Sequence, residues 1–137
     1  MKRSPLKRGR PPRPATKKRR ALNAAVRSKR KEFKDENPIC MACRKRSTTD
    51  CHEIVGGGMR SKTMAQRELW IACCRPCHAV LQGLPQSVKH ATELAIKAER
   101  DPDWFSMTVF RAAKGGGEVV DEFDISLAAS QLAELFG

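Results

Sequence analysis

The chain has 137 residues, of which 40% are hydrophobic and only 5% aromatic. This composition excludes a large self-sufficient core, so a small fold needs an additional stabilising element. No apolar run is long enough to span a bilayer, and no apolar stretch follows the basic N-terminus as a secretory signal requires. We therefore expect a cytoplasmic protein without a membrane partner.

The formal net charge of +12 is concentrated at the start of the chain. Residues 1–36 contain 15 basic and 3 acidic side chains, whereas residues 37–137 contain 12 of each. A neutral body with a basic N-terminal segment predicts a polyanionic partner. DNA or RNA is the first candidate and an anionic membrane surface is the second. A merely solubilising segment is the alternative.

Residues 1–20, here called the basic arm, combine ten Lys and Arg with four prolines, which predicts disorder when the arm is free. Within the arm, Arg8-Gly9-Arg10-Pro11 resembles the core of an AT-hook. That resemblance implies that Arg8 and Arg10 enter the narrow minor groove of A·T-rich duplex DNA, where negative potential is concentrated. Ordinary phosphate contact is the alternative for the same cations.

The rest of the chain predicts an α+β fold. A basic helix is expected from residue 16 or 20 to about 34, where Asn37-Pro38 ends it. Short strands are expected over 50–55 and 68–73, and helices over 86–100, 103–113 and 125–136. His90 is expected on the polar side of helix 86–100, and Val88 on its apolar face. We divide the chain after the arm into residues 21–84, the basic helix with the core, and 85–137, a helical C-terminal extension.

All six cysteines lie between residues 40 and 77, and four of them form two C-x2-C pairs, Cys40-Met-Ala-Cys43 and Cys74-Arg-Pro-Cys77. In an intracellular protein two such pairs indicate a tetrahedral zinc site rather than disulfides. Structural zinc would supply the stabilising element that the small core lacks. The alternatives are redox thiols or buried free cysteines, and Cys73 could replace Cys74 with a less favourable spacing.

A histidine accompanies each half of this pattern. His52 lies in Asp50-Cys51-His52-Glu53-Ile54, and His78 directly follows Cys77. The order is C-x2-C, a strand with a histidine, a glycine-rich loop, a second strand and C-x2-C-His, over about residues 38–83. In this order the chain resembles the zinc-bearing HNH endonucleases, the ββα-metal nuclease class, and more weakly their small phage and prophage members.

The resemblance implies a small zinc-stapled ββα-metal core in a prokaryotic or phage-infected cell. His52 matches the family's general base, and His78 matches a ligand of the catalytic divalent metal, which is Mg²⁺, Mn²⁺ or another transition metal. The four paired cysteines match the structural zinc site. From their charge, three further side chains are candidates to contact flanking phosphates of double-stranded DNA: Arg60, Lys62 and Arg75.

Two positions depart from the family pattern. Cys51 stands where the family has an Asp or His that binds the catalytic metal, and a thiolate there would favour softer transition metals. Asp50 or Glu53 could supply a carboxylate instead. The family's middle asparagine is absent, and Glu68 or Gln66 lies nearest to its place.

These observations favour a metal-dependent endonuclease that hydrolyses DNA phosphodiester bonds with a histidine base. The resemblance implies products that carry a 5′ phosphate and a 3′ hydroxyl. The alternative is a non-catalytic zinc-stabilised DNA-binding module with an AT-hook-like arm, which the missing asparagine supports. An RNA-binding zinc protein is a second alternative.

Overall fold

The computed structural model describes residues 9, 11–56, 64–115 and 120–137. In these residues, five helices surround one two-stranded antiparallel sheet, which confirms the α+β class. The elements are α1 (Lys17–Glu36), β1 (Asp50–Glu53), β2 (Trp70–Cys73), α2 (Arg75–Gly83), α3 (Gln86–Arg100), α4 (Met107–Lys114) and α5 (Glu122–Phe136).

The predicted basic helix is present as α1, and it starts inside the basic arm, so residues 17–20 are helical. Its start is capped by Thr16, whose hydroxyl oxygen accepts a hydrogen bond from the backbone of Arg19 at 3.1 Å. α1 buries Val26 and Phe33, whereas the rest of its surface is largely polar. The Phe33 ring meets Trp70 of β2 edge-on at 5.7 Å between centroids, which packs α1 against the sheet.

Both strands are shorter than predicted, because pairing covers only four residues of each. Asp50 pairs with Cys73, and His52 pairs with Ile71. Successive side chains of a strand point to opposite faces, so Asp50 and His52 share one face of β1. Cys51 and Glu53 share the other face, where Glu53 forms an ion pair with Arg30 of α1.

α3 lies in the same buried core as the sheet, so the predicted C-terminal extension packs directly on the strands. Lys97 shows how closely the two are joined. Its fully buried Nζ donates to the backbone oxygens of Arg67 at 3.0 Å and Trp70 at 2.7 Å, and to Asp101 at 2.7 Å. Burial lowers the pKa of Lys97, and these three acceptors offset part of that cost.

The last two predicted helices differ from expectation at their starts. Residues Pro102–Trp104 form a separate 3-10 turn before α4, so the expected helix over 103–113 is split. α5 begins three residues earlier than predicted, with Asp121 as its cap and Asp124 completing a capping box. α5 packs mainly on α3 through Ala128, Leu132 and Phe136.

Two predictions for α3 are wrong. His90 is 5% exposed rather than on the polar surface, because α4 covers it and Phe110 packs edge-on against its ring at 5.4 Å. Val88 is 44% exposed instead of facing the core. Within the described ranges, none of the helices combines the length and apolar character that crossing a membrane would require.

Candidate functional site

The two C-x2-C pairs meet in one buried group, here called the cysteine cluster. The sulfur atoms of Cys40, Cys43, Cys74 and Cys77 all lie within 4.8 Å of one another. Four buried thiols at this separation can hold a tetrahedral zinc ion. The structure therefore brings together the four predicted ligands, with Cys74 rather than Cys73 in the cluster.

The local fold explains how each pair reaches the cluster. The first pair lies in a tight turn that Arg44 completes in the left-handed conformation, with φ of 58°, while its N–H donates to the Cys40 carbonyl at 2.9 Å. The backbone N–H of Met41 donates to Ala72 and fastens this turn to β2. The second pair spans the start of α2, where Cys74 is the cap residue and Pro76 occupies the first turn.

The thiols of the cysteine cluster differ in pKa. Burial raises the pKa of Cys40 and of Cys77. Burial also acts to raise the pKa of Cys43, but hydrogen bonds from the backbone N–H groups of Arg46 and Lys45 and from neighbouring thiols lower it to about 6. Metal ligation requires thiolates, so binding must displace protons and its affinity must fall as pH falls.

The second feature of the site is a contact between Asp50 and His78. Asp50 Oδ2 lies 2.9 Å from His78 Nδ1, and its other oxygen accepts from Arg75 at 3.3 Å. The hydrogen bond with His78 is the largest cause that lowers the pKa of Asp50, so the carboxylate is ionised at neutral pH. A carboxylate and an imidazole at hydrogen-bond distance are two donors of the kind that bind divalent metals.

His52 lies beside Asp50 and His78, but its hydrogen bond is to a residue of α3. Its ring lies edge-on to His78 with centroids 5.1 Å apart. His52 Nε2 is hydrogen-bonded to a carboxylate oxygen of Glu93 on α3, and His90 Nδ1 lies 3.2 Å from the second oxygen of Glu93. We call Asp50, His52 and His78 the histidine site.

Cys51 does not take part in the Asp50–His78 contact. Its side chain alternates to the other face of β1 from Asp50, but Cys51 still lines the surface cleft that contains Asp50 and His78. Burial raises the pKa of its thiol to about 11, so the thiol is protonated at neutral pH. Of the three candidates that the sequence left open, Asp50 is the one within hydrogen-bond distance of His78. The assignment of Cys51 as a metal ligand stays a prediction.

The two residues considered in place of the family asparagine lie elsewhere. Gln66 and Glu68 line a surface depression together with Trp70 and Trp104. That depression shares no lining residue with the histidine site. Neither Gln66 nor Glu68 therefore lies at the histidine site, where a replacement for the family asparagine would be needed.

Two open clefts meet at the histidine site and both carry cations. The α1 cleft contains Asp50 and His78 and is lined from α1 by Arg19, Arg27, Arg30 and Lys34. The α3 cleft contains His52 and His78 and is also lined by Lys89 and Lys114. Arg30, Cys51 and His78 line both clefts, so the two clefts adjoin at the histidine site, and we call the pair the trough.

The structure bears on one of the five predicted DNA-contacting residues. The side chain of Arg75 is 83% exposed at the edge of the α1 cleft, beside Asp50. The other four, Arg8, Arg10, Arg60 and Lys62, lie outside the described residues.

Sequence analysis missed Glu93 and misplaced His90. The signal that could have found them is a stripe of titratable residues on α3, since His90, Glu93 and Lys97 recur at helical spacing among apolar neighbours. All residues from 90 to 97 are buried, which a search for a single apolar face does not anticipate.

No protein-family model, curated protein or solved structure matches this chain.

Proposed function

We propose that this protein is a metal-dependent endonuclease of the HNH type, which cleaves DNA phosphodiester bonds. The observation that carries the proposal is the contact of the ionised Asp50 carboxylate with His78, beside the His52 ring and where two clefts lined by cations adjoin. The ββα-metal core, the bound zinc and the catalytic metal are all parts of this proposal.

In the proposed reaction Asp50 and His78 hold a divalent cation, which would neutralise charge on the attacked phosphate and on the leaving 3′ oxygen. His52 accepts a proton from a water molecule, and the resulting hydroxide forms a bond to phosphorus. The bond from phosphorus to the 3′ oxygen breaks, and that oxygen acquires a proton from solvent. The products carry a 5′ phosphate and a 3′ hydroxyl.

Double-stranded DNA is the proposed substrate because cations line both of the clefts that adjoin at the histidine site. Arg19, Arg27 and Lys34 lie on the α1 side, and Lys89 and Lys114 on the α3 side. A nucleic acid backbone that crosses the trough would contact the cations of both clefts and place a phosphate at the histidine site between them. The basic arm joins the folded body at α1 and would extend the contact along the duplex.

The direct test is nicking of supercoiled plasmid by the purified zinc-loaded protein with magnesium, manganese, nickel and zinc in separate reactions. Metal-dependent nicking that is lost in a His78→Asn variant supports the proposal, because that variant controls for a contaminating nuclease. Tight plasmid binding without nicking in any metal would contradict it and favour the non-catalytic DNA-binding module. Preferential binding of duplex RNA in competition with duplex DNA would favour the RNA-binding alternative.

Deleting residues 1–15 tests the contribution of the basic arm. We expect weaker DNA binding and a shallower dependence of affinity on salt, because six cationic side chains are lost. Nicking at saturating protein should persist, since the histidine site is intact. Unchanged affinity at both low and moderate salt would show that the arm only improves solubility.

A further inference from the structure

The buried carboxylate of Glu93 is the feature of this molecule that the proposed reaction leaves without a role. Glu93 is 0% exposed in the middle of α3, and both of its oxygens contact histidines. One oxygen is hydrogen-bonded to His52 Nε2, and the other lies 3.2 Å from His90 Nδ1. The two histidines are themselves 4% and 5% exposed.

Burying a carboxylate costs free energy unless its oxygens are hydrogen-bonded, and a neutral side chain of the same size would avoid that cost. His90 is itself held in place, because Phe110 of α4 packs against its ring. A connected chain of contacts thus runs from α4 through His90 and Glu93 to His52. Its last link is the residue proposed as the base.

The chemistry of this last link determines which nitrogen of His52 carries the proton. An ionised carboxylate has no proton to donate and only accepts hydrogen bonds. With Glu93 as the acceptor, Nε2 of His52 is the donor, and Nδ1 of the neutral ring keeps an unshared electron pair. Only a nitrogen with an unshared pair can take a proton from water.

We propose that Glu93 is a positioning residue, which fixes the tautomer and the ring orientation of His52 so that Nδ1 is the proton acceptor. This inference rests on the proposed function. It also gives α3 a role in catalysis, because Glu93 belongs to α3 and lies 41 residues after His52 in the chain. His90 supports the arrangement by holding the second oxygen of Glu93.

The test combines nitrogen NMR of isotope-labelled histidine with plasmid cleavage, on the full zinc-loaded chain at a mildly alkaline pH where ordinary imidazoles are neutral. In the wild type, we expect His52 to be protonated at Nε2 only. In Glu93→Gln, the side-chain amide can donate to Nε2, so we expect a mixture of tautomers or the opposite one. The cleavage rate constant should fall by about 10²-fold or more, with the KM for plasmid unchanged.

Glu99→Gln is the matched control, because it removes the same charge from the same helix at a side chain that is 43% exposed. It should leave the His52 tautomer and the cleavage rate as in the wild type. Glu93→Asp keeps a carboxylate and should retain the Nε2-protonated form with part of the activity. It also provides a second variant if Glu93→Gln fails to fold.

Two results would overturn the role of Glu93. One is a wild-type His52 protonated at Nδ1, and the other is a folded Glu93→Gln with the wild-type tautomer and cleavage rate. If the wild type cleaves no DNA in any metal, the proposed function fails. The NMR measurement still decides whether Glu93 sets the tautomer of His52, so the two failures are distinguishable.

Discussion

The cysteine cluster and the histidine site adjoin at Cys77 and His78 of α2, yet they are built in opposite ways. All four cysteines of the cluster are buried, and their sulfurs lie within 4.8 Å of one another, which is the closed arrangement of a structural metal site. In the histidine site, Asp50 and His78 keep side-chain exposures of 15% and 24%, and both line an open cleft. An open position beside metal-binding donors is what a reactive site requires.

The comparison indicates that the two regions have different roles. Cys77 and His78 are consecutive in α2, and Asp50 pairs with Cys73 immediately before the cluster. A metal in the cluster would therefore fix both partners of the Asp50–His78 contact from one side. With that metal bound, the cluster would stabilise the arrangement, while Asp50 and His78 keep partly exposed side chains.

Removing metal from the cluster should have the largest effect. Structural zinc contributes roughly 10 to 16 kcal/mol in small domains, which matches or exceeds the total stability of a typical domain. We expect about one tightly bound zinc per chain, and loss of cooperative thermal unfolding after chelation or in Cys40→Ser. Zinc content and calorimetry measure both.

Cys73→Ala is the control for that experiment, because Cys73 is equally buried but lies outside the cluster. It should keep its zinc and lose only about 1 kcal/mol of stability. A metal-free protein with an unchanged thermal transition would show that the cluster does not stabilise the fold.

Changing His52 should separate chemistry from stability. His52→Ala would leave the buried carboxylate of Glu93 without its hydrogen bond, so His52→Gln, which retains a donor, is the sharper variant. We expect cleavage to fall by roughly 10² to 10⁴, while zinc content and DNA affinity stay nearly constant. Wild-type cleavage by a folded His52→Gln would exclude His52 as the base.

Asp50 and Cys51 offer a matched pair that identifies the donor beside His78. Asp50→Asn should raise the concentration of divalent metal needed for half-maximal cleavage by at least about tenfold. Cys51→Ser should change it little, because Asp50 contacts His78 and burial raises the pKa of the Cys51 thiol to about 11. The reverse result in a metal titration of plasmid cleavage would restore the assignment made from the family pattern.

The smallest expected effect is at Arg44, whose left-handed conformation costs a residue with a side chain about 1 kcal/mol. Arg44→Gly should therefore stabilise the zinc-loaded protein by roughly 0.5 to 1 kcal/mol in chemical unfolding. Lys45→Gly, at a neighbouring position without positive φ, should destabilise it by a similar amount. Equal effects of the two changes would mean that the turn is not strained.

How much could be predicted from the sequence depends on how far apart the interacting residues are. The cysteine cluster was predictable because two-residue spacing within each pair brings the sulfurs together locally. The helices α1 and α3 were predictable from the spacing of residues such as Val26 and Phe33, because helical periodicity is also local. The burial of His90 was not, since it depends on Phe110 of a later helix.

The histidine site was only partly predictable from the sequence. The order of motifs drew attention to His52 and His78, and alternation in the predicted strand already puts Asp50 on the same face as His52. Only the packing of α2 against β1 shows that Asp50 reaches His78. The contact of His52 with Glu93 depends on the docking of α3 against the sheet. Spacing along the chain carries no information about such docking.

The position of the α1 cap has a kinetic consequence. Thr16 caps the helix, and Arg19 in its first turn already lines the cleft that holds Asp50 and His78, so the basic arm is tethered at the mouth of that cleft. DNA bound to the arm, as proposed, would have a high effective concentration at the cleft. The same tether would retain the cut strand, so we expect product departure to limit multiple turnover at low salt. Turnover should then quicken with moderate salt while a single round of cleavage does not.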